Sequence, residues 1–108
     1  MAASSSSSPA REAIRPVVPR LAELADQVVY GEVWERPGLS KRDRSLITVA
    51  TLLALGREGQ LPGHLARALA NGASKEEIGE LITHLAFYAG WPAAMTAALI
   101  AKEVFEKG

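Results

Sequence analysis

His64 and His84 are the only imidazoles in the chain, and there is no cysteine. A chain without thiols has no disulfide, no cysteine nucleophile, no thiolate metal site and no CxxC couple. Two histidines also fall short of a His-rich metal centre, so no metal is expected. What remains is acid–base and electrostatic chemistry. On a wheel of about 100° per residue, Glu77, His84 and Tyr88 share one flank of a segment. The apolar stripe of that segment is Ile78, Leu81, Ile82, Leu85 and Ala89. An acid, an imidazole and a phenol along one edge of an apolar helix are candidate proton carriers. Each has a structural reading too: Glu77 as a capping-box glutamate, and His84 with Tyr88 as a hydrogen-bonded pair at an interface.

A second polar line runs through Arg44, Thr48 and Thr51 at i, i+4 and i+7, among Leu46, Ile47, Val49, Ala50, Leu52 and Leu53. A guanidinium fork matches a carboxylate, so Arg44 with Thr48 reads as an anion clamp on a pocket wall. In the structural reading Arg44 pairs with an internal acid, Glu77 or Glu80 being nearest to hand, and the threonines bond back to their own helix. His64 flanks Leu61, Leu65 and Ala68 on a third segment, where it serves either packing or chemistry.

These residues need helices to position them, and strand signals are almost absent. A first helix is expected from near Pro19 towards Trp34, closed by the Pro37-Gly38 turn. Ser40 caps a second helix over 41–55, with Gly56 at its C-terminal turn. Pro62 opens a short third helix that stops at Asn71-Gly72. Ser74-Lys75-Glu76-Glu77 is a capping box for a fourth, with Ala73 and Ile78 as the flanking staple. That helix ends at Gly90, and Trp91-Pro92 starts a fifth that folds back as a hairpin. The fold class is therefore all-α, a compact domain of five to six helices ending in a helical hairpin. Residues 1–10, with their serine run, read as a disordered tail, and residues 11–108 as a single domain.

The chain has 108 residues, 48% of them apolar and 22% charged, with twelve basic residues against twelve acidic. No net field draws it to nucleic acid or an anionic membrane, so neither is an expected partner. The N-terminus is neither a secretory signal nor an anchor, and the expected compartment is the cytoplasm. From Leu81 to Ala101 no residue except His84 can carry charge. Gly90 and Pro92 break that run, which argues against a membrane span. Helices without a wet face are covered on more than one side, so a subunit interface is expected there. Alanines 93, 94, 97, 98 and 101 allow close helix approach within that layer.

Taken in order, these segments strongly resemble the carboxymuconolactone decarboxylase family. The landmarks are Trp34, Arg36-Pro37-Gly38-Leu39, Arg44-Ser45, His64, Asn71-Gly72, Glu76-Glu77-Ile78, Glu80, and Tyr88-Ala89-Gly90 followed by Pro92-Ala93-Ala94. The likeness runs from Gly31 to Phe105. It implies an alkylhydroperoxidase D-like all-α fold that assembles as a ring-type homo-oligomer, often a hexamer of three dimers. Thiol peroxidases of that superfamily carry a CxxC pair before a histidine. Here the matching stretch, Arg57 to His64, keeps the histidine and lacks both cysteines, so that activity does not carry over.

The family reaction, part of aromatic-compound breakdown, removes CO₂ from a carboxylated unsaturated lactone. The conjugated carbonyl is the electron sink, so no cofactor is expected. The protein must hold the retained carboxylate of a small anionic substrate, stabilise the dienolate oxygen and protonate carbon. The resemblance implies Arg44, Thr48 and Trp34 for binding, and His64, His84 and Tyr88 for catalysis. A non-catalytic ligand-binding or scaffold oligomer of the same fold is the alternative, and a thiol-independent peroxidase ranks behind both.

Overall fold

A computed structural model of the chain describes residues 8–107. The tail expected over residues 1–10 lies outside these as far as residue 7. From Pro9 the chain is already helical, because the Ser8 hydroxyl accepts from the Arg11 N–H and Pro9 suits a helix's first position. Internal contacts gather the described residues into two compact units that divide between Leu39 and Ser40, where the sequence alone predicts one domain over 11–108.

The first unit holds α1 (Pro9–Ile14) and α2 (Pro19–Leu24), and α2 runs on as a π-helical segment, Ala25–Val33. The wider π turn shows directly where the Trp34 N–H reaches the Val29 carbonyl at 2.9 Å. Gly31 permits it: a Cβ there would lie 2.7 Å from the Asp26 carbonyl oxygen. Arg11 ties α1 to this segment, bonding Asp26 at 2.7 Å and lying over the Tyr30 ring at 4.3 Å. Arg15 also reaches Asp26, at 2.9 Å. Tyr30 stacks on the buried Trp34 with ring centroids 5.6 Å apart. The helix foreseen from Pro19 is thus present, but its second half is wound differently.

The second unit contains α3 (Lys41–Leu55), α4 (Leu61–Ala70), α5 (Lys75–Ala86) and α6 (Trp91–Lys107). The chain is all-helical, with no strand among the described residues. Caps set the ends where the sequence places them. Ser40 accepts from the Asp43 N–H at 3.0 Å, and Gly56 closes α3 with φ +70°. Ser74 and Glu77 form the reciprocal capping box. Gly90 turns α5 into α6 with φ +110°. The core lies between the four helices, with Val49, Leu65 and Ile78 fully buried. Ala94, Ala97 and Ala101 bury the inner face of α6, where small side chains let the helices approach.

The outer face of the same hairpin is apolar and open. Phe87 is 76% exposed, Trp91 59%, Met95 52% and Leu99 62%. Trp91, Met95 and Leu99 recur every four residues, and Phe87 meets Trp91 edge to face at 5.7 Å. No helix among the described residues is long and apolar enough to cross a membrane.

Candidate functional site

Three places in the second unit collect the polar groups. The first is the seam between α3 and α4. Its register is pinned at one end by Asn71, whose amide donates to the buried Ser45 hydroxyl at 2.9 Å. At about 1.5 Å per residue, His64 then stands level with Leu52, and Arg44 lies about 12 Å further along the seam. Both are half-buried, with His64 Nδ1 and Arg44 Nε shut off from solvent. Burial, and secondarily the charge of Arg67, push the His64 imidazole below its ordinary value of 6.5, so it is neutral at pH 7. Thr48 donates to the Arg44 carbonyl at 2.8 Å and Thr51 to that of Ile47 at 2.8 Å. Their hydroxyl protons are engaged within the helix, leaving oxygen lone pairs as acceptors.

The second place is an open groove between α3 and α5, floored by Leu46, Ala50, Leu81 and Leu85 and rimmed by His84. Its upper edge is an ion pair between Arg42 and Glu77. Glu77, one of the acids offered to Arg44, is therefore clasped by Arg42, a residue that sequence reasoning passes over. Backbone bonding at Ser74 comes first, and Arg42 second, in holding the Glu77 carboxylate below its usual range. His84, on α5, and Tyr88, in the turn that follows it, stack with centroids 4.7 Å apart, and both are exposed.

Arg42, Leu46 and Ala50 face this groove, while Arg44 and Thr48 lie about 180° round α3. Within one chain, Arg44, Thr48 and His64 border one side of α3, and His84 with Tyr88 the other. Arg44, His64 and His84 therefore do not form a single cavity in one chain. Trp34 belongs to the first unit, where its ring packs on Tyr30.

The third place is a cleft of about 210 Å³ where the end of α3 meets the first turns of α4 and α6. Leu53, Leu61 and Ala97 make a dry floor. Glu58 and Thr96 supply the side-chain polar groups. Sequence reasoning misses Glu58 because it sits in the turn between helices, where no periodicity assigns it a face. Among the described residues no cluster of His, Asp or Glu could hold a metal ion.

Residues 19–103 match the model of the carboxymuconolactone decarboxylase family. The chain belongs to that family. Its helices are those of an alkylhydroperoxidase D-like fold, in a member that has no cysteine. It is 53% identical over 77 residues to a 4-carboxymuconolactone decarboxylase of Acinetobacter baylyi, covering 71% of this chain and 58% of that protein. It is 33% identical over 81 residues to a nitrosuccinic acid decarboxylase of Metarhizium robertsii, covering 75% and 57%. An uncharacterized 15.0 kDa protein of Paracoccus denitrificans is 33% identical over 95 residues, covering 86% and 71%. The chain spans less than two thirds of the length of the first two relatives. The family match takes in all of α3, α4 and α5 and the turn after α5, and so Arg44, Thr48, His64, His84 and Tyr88.

Proposed function

We propose that this family member is a cofactor-independent carboxy-lyase acting on a small carboxylated substrate, an unsaturated lactone such as 4-carboxymuconolactone or a similar anion. The observation that carries the reading is its 53% identity to a 4-carboxymuconolactone decarboxylase. The 33% identity to an enzyme named for nitrosuccinic acid points the same way. Both names describe a carboxylate lost from a molecule with a built-in electron-withdrawing group. Such a substrate stabilises its own carbanion, so the protein is left with binding, oxyanion stabilisation and proton delivery.

Arg44 is the group for the retained carboxylate, with Thr48 beside it. His64 suits oxyanion stabilisation, because a neutral imidazole donates a hydrogen bond to a developing enolate oxygen without itself being a strong acid. His84 and Tyr88 lie across α3 from these in the same chain, so they join the reaction only through a neighbouring copy. The active form is a ring-type homo-oligomer, a hexamer of three dimers, in which the open row of Phe87, Trp91, Met95 and Leu99 is covered. The exposure of that row supports this reading, since contiguous apolar surface on this scale marks an interaction site.

The test is direct. 4-Carboxymuconolactone is added to the protein, and its loss and the release of CO₂ are followed together. Saturating substrate analogue should raise the melting temperature, by about 2.7 kcal/mol of added stability at a hundred times Kd. Arg44→Ala should abolish that rise. Stabilisation without CO₂ release would leave a ligand-binding oligomer of the same fold. No response of either kind would overturn the decarboxylase reading.

A further inference from the structure

Decarboxylation moves a negative charge. It starts on the carboxylate that leaves and ends on the conjugated carbonyl oxygen, so a fixed cation at the point of arrival lowers the barrier. We propose that Arg67 is that cation, stabilising the enolate oxygen beside His64 while Arg44 holds the retained carboxylate. The proposal rests on the decarboxylase reading and adds to it the residue that receives the charge.

The seam between α3 and α4 fixes where Arg67 stands. Its carbonyl accepts from the Asn71 N–H at 2.8 Å, and the Asn71 amide bonds the buried Ser45, the neighbour of Arg44. That bond joins the end of α4 to the start of α3, so the two helices are antiparallel. With Asn71 level with Ser45, Arg67 lies about 7.5 Å along the seam from Arg44 and about 4.5 Å short of His64. The wheels of antiparallel neighbours turn in opposite senses. Arg44 and Thr48 on α3 and His64 and Arg67 on α4 therefore share one outer face of the pair. All four are half-buried. A small acid held by one carboxylate at Arg44 thus presents its other end to Arg67 and His64.

The imidazole of His64 registers the charge. Burial comes first in pushing it below its ordinary value, and burial penalises charge of either sign. Arg67 comes second, and its effect has a sign. A guanidinium that opposes a proton on the imidazole favours a negative charge beside it. It stays charged at every working pH, so the step needs no titration. The other two hollows lack this field. Glu76, Glu77 and Glu80 outnumber Arg42 around the groove between α3 and α5, and no cationic side chain lines the cleft at the end of α3.

The step balances. The C–CO₂⁻ bond breaks, CO₂ leaves, and the bonding pair passes into the conjugated carbonyl, with the charge on oxygen beside Arg67 and His64. The enolate carbon then takes a proton, drawn ultimately from water, and the oxygen returns to a carbonyl.

Two measurements on the intact protein test this. The first is turnover of 4-carboxymuconolactone. Arg67→Gln and Arg67→Met remove the charge. They should lower kcat about 100-fold and leave KM within about threefold, because Arg44 still holds the retained carboxylate. Arg67→Lys keeps the charge and should keep kcat within about tenfold of wild type. The second is calorimetric affinity for two probes that carry the same carboxylate. One is a saturated lactone with a neutral ring, and the other a tetronate whose ring is an enolate anion. The charge-removing variants should bind the lactone as wild type does and lose about 100-fold for the tetronate, a split that a merely structural role would not produce. A kcat retained within about threefold, or equal losses for both probes, overturns the proposal and leaves the decarboxylase reading standing. A wild type that releases no CO₂ overturns both.

Discussion

Burial and the neighbouring Arg67 guanidinium disfavour the charged form of His64, and Glu77 is perturbed downward for the opposite reason, by bonds to its charged form. The two make separable predictions for stability against pH. In the unfolded chain His64 protonates near 6.5, and in the folded chain only at lower pH. Over that window the unfolded state binds more protons, so stability falls as pH drops through 6.5 and this contribution levels off below the folded value. Melting at pH 5.5 should therefore come at lower temperature than at pH 7.5, and His64→Gln should flatten the difference. Glu77 contributes stability above its ordinary value of 4.5, lost as pH falls further through its folded value. Glu77→Gln should remove that lower slope and leave the one due to His64. A His64→Gln protein with an unchanged slope between pH 7.5 and 5.5 would show that its imidazole is not held neutral.

At the scale of elements, helix ends obey local rules closely enough to predict substitutions. Gly90 joins α5 to α6 with φ +110°, where a Cβ is strained whatever space surrounds it. Gly90→Ala should cost about 1 kcal/mol. Gly63, inside α4, has ordinary helical backbone and open space, so Gly63→Ala should stabilise by about 0.5–1 kcal/mol. Urea midpoints for the pair test both signs at once, and a neutral Gly90→Ala would mean that the hairpin relaxes to accept a side chain. The capping box at Ser74 and Glu77, the cap at Ser40 and the turn at Gly56 were legible because each depends on residues within a few positions. The π-helical turn over Ala25–Val33 was not. It depends on Gly31 sitting against the Asp26 carbonyl and on Arg11 reaching across from α1.

For the whole molecule, the uncharged run from Leu81 to Ala101 separates into two faces. Ala94, Ala97 and Ala101 point into the core, and Trp91, Met95 and Leu99 point out with Phe87. If a second copy covers the outer row, light scattering at micromolar concentration should give a multiple of the 11.5 kDa chain mass. Met95→Glu with Leu99→Glu should shift it to smaller species while helix content is kept. A well-folded monomer in the wild-type protein would remove the ring assembly.

Composition and local order in the sequence determine the excluded thiol chemistry, the all-helical class, the helix ends and the polar flank of each helix. Caps, turns and periodicity are short-range, and a wheel gives each side chain's angle about its own axis. The wheel says nothing of which neighbour stands at that angle. Tertiary packing alone decided that Glu77 meets Arg42, and that His84 faces a groove on the far side of α3 from Arg44. It also brought Glu58, in a turn with no period to read, to the lining of a largely apolar cleft where the end of α3 and the start of α4 meet α6, about thirty residues further along the chain. Residues in contact across helices are related by packing register, and register is a property of the assembled core rather than of any one segment.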